Sequence, residues 1–332
     1  MKMVELHCHF DGSLDIERSY YWAKKRGVVD ENMDYDTFSD LLEVKTENCD
    51  LVEYLRHFEL PTQLLQDPEV MTDLMVRLVR DLNKEGIVYA EVRFAPQLHI
   101  RKGHSQEEAI QALIAGVEQA KELYPDTHIN LIACVMIFGE ASLNYDLNME
   151  TVELCGKYLG KGICAMDMAG AEGTAAMDEF RPFFERAKEL GVPFTIHAGE
   201  AGGPDHVAKA LEWGASRIGH GGHSTYDPEL VKKLTEVGIP LEICITSNVH
   251  CHNQPSFEGH AIRELYDAGV HVTLNTDNRT LSRIDLHHEV EVAKKYLKFT
   301  DEDIRKMMLY AVDGIFADEA EKERCRKLIN EE

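Results

Sequence analysis

The chain has no long hydrophobic run. Nothing in its 332 residues approaches the ~20 consecutive apolar positions of a spanning helix, so no membrane partner is expected. Basic residues are scarce: 35 Lys and Arg face 59 Asp and Glu, a net charge of −24. Such a field repels phosphate backbones and anionic lipid, which excludes nucleic acid as a natural partner and mildly favours neutral or cationic small substrates. Disulfide spacing is missing too. The eight cysteines (Cys8, Cys49, Cys134, Cys155, Cys164, Cys244, Cys251, Cys325) include no C-x-x-C pair. Several lie in apolar strand-like runs, where cysteine acts as a small buried hydrophobe. The opening "MKMVELHCHF" has histidines where a signal peptide carries its apolar core. A cytoplasmic protein with reduced thiols is expected. No Pro/Ser linker, low-complexity tract or charge block divides the sequence, so residues 1–332 read as one domain.

What the chain does have is alternation. Eight strand-like runs cover 3–9, 87–95, 129–138, 163–169, 193–199, 216–221, 239–245 and 270–275. Many are too continuously apolar to have a wet face, as expected when both faces are covered. Helical patterns separate them. Ser105-x-x-Glu108 is a capping box before Ile110, Leu113, Ile114 and Val117. Phe180, Phe183, Phe184, Ala187 and Leu190 form a second stripe, stopped by Gly191. Leu230, Leu234 and Val237 form a third before Gly238, and Thr300-x-x-Asp303 opens a fourth. Alternating strands and helices predict parallel βαβ units, and eight of them favour a closed (β/α)8 TIM barrel. No G-x-G-x-x-G follows any strand, against a dinucleotide fold. Roughly 75 residues separate the first two strands. Extra helices around "DTFSDLLEVK" and "DLVEYLRHFELP" are expected there, near the barrel mouth, as a lid.

In such a barrel the chemistry sits at the C-terminal ends of the strands. His7 and His9 end the first, on one face, with Cys8 turned away. His197 and Glu200 stand at the end of the fifth, His220 at the sixth, and Asp277 and Asn278 at the eighth. Imidazole and carboxylate groups closing apolar strands are costly without partners. Three imidazoles and a carboxylate form a nitrogen/oxygen set suited to zinc, which lowers the pKa of a coordinated water towards ~7. Glu200 is a candidate proton donor and His220 a candidate to orient the nucleophile, so the site reads as hydrolytic.

"ELHCHFDGSL", "MDMAGAEG", "HAGEAGGP", "RIGHG" and "TLNTDN" resemble, in order and spacing, the successive signatures of the adenosine deaminase family. The resemblance spans residues 5 to 278, with "EGIVYAEVRFAP" and "LEICITSN" between. It implies a (β/α)8 barrel, one catalytic zinc per chain, and hydrolytic deamination of adenosine and 2′-deoxyadenosine. It makes His7, His9, His197 and Asp277 the zinc ligands. Glu200 would protonate purine N1, and His220 would hold the attacking water and steady the developing alkoxide. Asp277 would also act as base. Gly170 would present its backbone N–H to purine N3, and Asp11 would meet the ribose 5′-hydroxyl. Leu51, Tyr54 and Phe58 fall where the family has an apolar gate, or are ordinary helix packing.

One position departs from the family. Many members follow the metal-binding aspartate with a second aspartate that contacts purine N7; here Asn278 stands there. An asparagine amide donates at any pH, whereas a carboxyl donates only when protonated. The nearest rival is a deaminase of free adenine or another 6-aminopurine. Adenine-specific relatives usually carry an acid before the sixth-strand histidine, where this chain has Gly219. The H-x-E/P-C-x-x-C deaminases are excluded because the chain has no P-C-x-x-C. A bridging lysine of a two-metal site is missing from Ala165, Met166 and Asp167, so one metal is expected. A non-catalytic nucleoside-binding barrel would tolerate loss of Glu200 or His220, and both are present.

Overall fold

The computed structural model describes residues 1–44 and 50–331. Eight parallel strands form: β1 (Met3–His9), β2 (Ile87–Phe94), β3 (His128–Ile137), β4 (Ile163–Gly170), β5 (Thr195–Ala198), β6 (Arg217–His220), β7 (Leu241–Ile243) and β8 (Val272–Leu274). They pair in chain order as β1-β2-β3-β4 and β5-β6-β7-β8. Parallel bridges Met166–Phe194 and Cys8–Asp277 join the two halves into a closed ring. The expected (β/α)8 barrel is what the chain forms.

The last four strands are shorter than their apolar runs. In the 239–245 run, Ile245 instead starts a helix (Ile245–His250). In the 270–275 run, Asn275 leaves the ladder, yet its side chain keeps the seam closed: Leu6 N–H donates to Asn275 Oδ1 at 3.0 Å. Polar side chains thus supplement backbone pairing on the side of the barrel that carries Asp277, where Asn275 N–H still donates to Ile243 O at 2.9 Å.

The gap between β1 and β2 holds α1 (Ile16–Lys25), α2 (Tyr35–Leu41), α3 (Leu51–Arg56), α4 (Glu59–Leu64) and α5 (Pro68–Lys84). Aspartate N-caps start four of them, with Asp15, Asp34, Asp50 and Asp67 accepting from backbone N–H groups in the first turn. The helix expected in "DTFSDLLEVK" ends at Leu41. Lys45 and Cys49 lie outside the described residues. Helix α5 makes the crossover to β2 with a buried stripe of Val70, Met71, Leu74, Met75, Leu78, Val79 and Leu82.

Around the rest of the barrel run α6 (Gln106–Leu123), α7 (Tyr145–Tyr158), α8 (Arg181–Glu189), α9 (Pro204–Glu212) and α10 (Pro228–Val237). Both capping boxes form, at Ser105/Glu108 and Thr300/Asp303. Phe183, Phe184 and Ala187 are buried as their spacing implied. Val237 is not. It is 53% exposed, because it is the last residue of α10 and the chain turns away through Gly238 at φ 71°. No helix among the described residues is long and apolar enough to cross a membrane.

Helices α5 and α6 pack closely where Gly116 has no side chain. A Cβ there would lie 2.7 Å from Met75 Cβ and 2.8 Å from Thr72 O. Two effects compete in Gly116→Ala: helix propensity gains about 1 kcal/mol, and overpacking costs about 1–3 kcal/mol. Because the contact includes backbone, overpacking is expected to win. Urea titration should show a net loss of up to about 2 kcal/mol with catalysis unchanged. A more stable variant would refute this account of the contact.

Candidate metal and active site

The C-terminal rim of the barrel carries His7 and His9 from β1, His197 from β5, His220 from β6, and Asp277 just beyond β8. The donor atoms of His7, His9 and His197 lie within 4.8 Å of one another, as do those of Glu200, His220 and Asp277. His9 Nε2 and His197 Nε2 face each other at 3.3 Å. Asp277 Oδ1 is 3.6 Å from His7 Nε2 and 3.4 Å from His9 Nε2.

The outer nitrogens are committed elsewhere. His7 Nδ1–H donates to Glu242 Oε2 at 2.9 Å, and His197 Nδ1 lies 2.9 Å from Asp167 Oδ2. His7 Nε2 therefore carries a lone pair. It is fully buried and has no hydrogen-bond partner. Burial, reinforced by the Arg93 charge, holds the His7 imidazole well below its ordinary pKa, and burial with the His197 charge does the same for His9. Neutral His7 and His9 imidazoles that converge with His197 Nε2 on the Asp277 carboxylate, His7 Nε2 being unpartnered, supply the donors a divalent cation requires. The residues present fit a metal ion. Cys244 Sγ also comes close, but its thiol donates to Glu242 O and burial raises its pKa well above normal, so it is no thiolate ligand.

Two site residues have unusual backbones. His220 has φ 61° and Asp277 has φ 62°. Left-handed conformations cost non-glycine residues on the order of 1–3 kcal/mol and persist only where the surroundings over-determine them. They do so here. His9 N–H donates to Asp277 O at 2.8 Å, Asp277 N–H donates to His7 O at 2.7 Å, and Ser247 Oγ–H donates to Asp277 Oδ2 at 2.5 Å. Asn248 Nδ2 meets His220 Nδ1 at 3.0 Å, leaving His220 Nε2 to face Glu200 Oε2 at 3.6 Å.

Glu200 is buried, and Asn253 Nδ2–H donates to its Oε1 at 3.3 Å. Burial, with the nearby Asp277 charge, pushes its carboxyl up to about 8. It is a protonated acid at neutral pH. Asp11 is buried as well, with Oδ1 unpartnered, and burial pushes it up to about 7. Gly170 sits at φ 114°, and a Cβ there would lie 2.6 Å from Ile137 O, so only glycine fits.

These residues share one space. His9, Asp11, Gly170, His197, Glu200, His220, Asp277 and Asn278 all line a cavity of about 760 Å³, and His7 stands behind it. Leu51, Tyr54 and Phe58 line the same cavity and also pack with Val44, Cys251 and Leu281, so gate position and helix packing coincide. The Tyr54 hydroxyl and Ser282 Oγ are 2.9 Å apart. Asn278 Oδ1 lies against Gly12, buried and unpartnered.

Sequence reading missed the groups behind the histidines: Arg93, Asp167, Arg217 and Glu242, all wholly buried. Arg93 donates to Asp167 Oδ2 at 2.8 Å and to Glu242 Oε2 at 2.7 Å, and Arg217 Nε donates to Glu242 Oε1 at 2.5 Å. The available signal was a charged residue inside each of four otherwise apolar runs.

The family model described as adenosine deaminase matches residues 3–332. The adenosine deaminase of Haemophilus ducreyi is 37% identical over 96% of this chain and 93% of its own length. That of Clostridium perfringens strain 13 is 38% identical over 97% and 96%. Among solved structures, an adenine deaminase from Arthrobacter aurescens superposes with TM-score 0.88 at 23% identity over 99% of this chain and 98% of that one. An Arabidopsis N6-mAMP deaminase gives 0.86 at 25% over 100% and 98%. A zinc-bound amidohydrolase from Burkholderia ambifaria gives 0.89 at 21% over 100% and 90%. With both its sequence and its barrel matched from end to end, the chain belongs to the adenosine deaminase family.

Proposed function

We propose that the protein hydrolytically deaminates adenosine and 2′-deoxyadenosine to inosine and 2′-deoxyinosine, releasing ammonia. Residues 1–332 act as one deaminase domain, in the cytoplasm, with reduced thiols. One observation carries the reading. A buried carboxyl, Glu200, lines the same cavity as His9, His197, His220 and Asp277 and lies 3.6 Å from His220 Nε2. The sister reading, deamination of free adenine, leaves the buried, unpartnered Asp11 Oδ1 without a ribose hydroxyl to accept from.

His7, His9, His197 and Asp277 would hold one zinc ion per chain. When bound, zinc supplies Lewis-acid chemistry that makes water acidic enough to attack near neutral pH. The chain's own groups do the rest. Asp11 accepts from the 5′-hydroxyl and Gly170 donates its N–H to N3. Asn278 donates to N7. Glu200 gives its proton to N1, which makes C6 electrophilic. His220 Nε2 orients the attacking water, and Asp277 takes one of that water's protons as its oxygen bonds to C6. The proton passes through the site to Glu200. The C6–N bond then breaks, the C6 hydroxyl proton leaves with the amine as ammonia, and N1 keeps its hydrogen in the product.

Three outcomes are expected. Elemental analysis should find one zinc per chain, and His7→Ala should lose both metal and turnover. Two metals per chain would contradict the donor set. Glu200→Gln should keep zinc and bind purine ribonucleoside, but lose roughly 10²–10⁴-fold in turnover. The acid form is the active one, so wild-type activity should fall as pH rises through about 8. Near wild-type rates in this variant would remove Glu200 as the proton donor. Asn278→Ala should lose about 1–3 kcal/mol in kcat/KM for adenosine. It should also cease to discriminate adenosine from 7-deazaadenosine, and a wild type that handles both alike would sink the N7 contact.

A further inference from the structure

Glu172 follows β4, two residues past Gly170, and is buried. Its carboxylate collects five donors. Oε1 accepts from Gly199 N–H at 2.7 Å and from His206 Nδ1–H at 2.9 Å. Oε2 accepts from Glu200 N–H at 2.9 Å, Ala201 N–H at 2.8 Å and Gly202 N–H at 2.9 Å. Four consecutive amides therefore point at one side chain. This is the nest geometry that elsewhere cradles an external anion, here filled by the protein itself.

The placement has a specific consequence. The loop 199–202 belongs to no strand or helix, and α9 begins only at Pro204. The amide from which the Glu200 side chain departs is itself bonded to Glu172. From the opposite side, His223 N–H donates to Gly199 O at 2.9 Å and His223 Nδ1–H to Gly202 O at 2.7 Å. The loop is thus clamped between two side chains rather than held by a ladder. A general acid must lie within hydrogen-bond reach of the atom it protonates, and displacement by 1 Å costs about 10²-fold.

We propose that Glu172 is a positioning residue whose carboxylate fixes the backbone of the 199–202 loop so that Glu200 reaches the purine ring. The proposal rests on the reading of Glu200 as proton donor. Glu172 is not among the residues that line the cavity; it reaches Glu200 through the loop, and its charge also helps to raise the Glu200 carboxyl.

The test is a double-mutant cycle on the zinc-loaded full chain, with ammonia release from adenosine as readout. In Glu172→Gln an amide N–H₂ faces backbone donors where an oxygen accepted before. This variant should retain zinc, hold KM within a few-fold and lose kcat by about 10²-fold. Exchange of the 199–202 amides with deuterium should quicken. Added to Glu200→Gln, the same change should cost nothing further, because groups that act as one unit are non-additive. If its loss persists in the Glu200→Gln background, Glu172 acts on something other than Glu200 and the proposal is overturned. Wild-type turnover in Glu172→Gln overturns it equally. Should Glu172→Gln not fold, His206→Ala removes one donor from Oε1 at a half-buried site and enters the same cycle. A smaller kcat loss that vanishes beside Glu200→Gln supports the proposal; no loss, or one that persists, overturns it. The two readings fail separately. An active Glu200→Gln removes both, whereas an inactive Glu200→Gln beside an active Glu172→Gln removes only this one.

Discussion

Everything at the mouth of this barrel depends on one buried guanidinium. Arg93 lies wholly inside, bonded to Asp167, to Glu242 and to Leu6 O. A lone charge there would be prohibitively costly, and so would either carboxylate without it. Burial drives the Glu242 carboxyl towards its neutral form, but the Arg93 and Arg217 charges outweigh it and hold the group well below the usual carboxylate range. An ionised Glu242 accepts from His7 Nδ1, and Asp167 faces His197 Nδ1. Each ring is then fixed with its other nitrogen turned inward. The charge order runs from strand interior to carboxylate to imidazole to the central donor set, and loss of any link unsettles the next.

How far this was legible depends on whether a feature is local. The strands were readable because barrel strands are covered on both faces, which leaves continuous apolar runs such as "LIACVMIF". The rim residues were readable because His7, His197 and His220 interrupt those runs at their ends. Helix starts were readable where a capping box supplied a local hydrogen bond, as at Ser105 and Thr300.

The supporting shell was not readable, for the converse reason. Arg93 finds its partners 74 and 149 residues along the chain. A charge within an apolar run announces that it needs a partner without saying which. The ends of β7 and β8 failed similarly. Ile245 and Asn275 continue an apolar or β-compatible run, but Ile245 begins a helix and Asn275 turns its side chain to Leu6 N–H across the seam. Glu172 sat inside a quoted signature, yet its role as acceptor for four successive amides exists only once β4 and β5 are neighbours.

The seam between β1 and Asp277 also orders events in time. His7 and His9 lie near one end of the chain and Asp277 near the other, and the hydrogen bonds that join them are the bonds that close the ring. Such a contact closes a loop that spans most of the chain, at a correspondingly large entropic cost. During synthesis, the two histidines emerge long before the aspartate they must meet. A growing chain therefore has the first ligands early but no completed pocket until its last barrel strand is made. Ring closure and completion of the donor set therefore rest on the same contact, and a cation bound there would stabilise the closed ring.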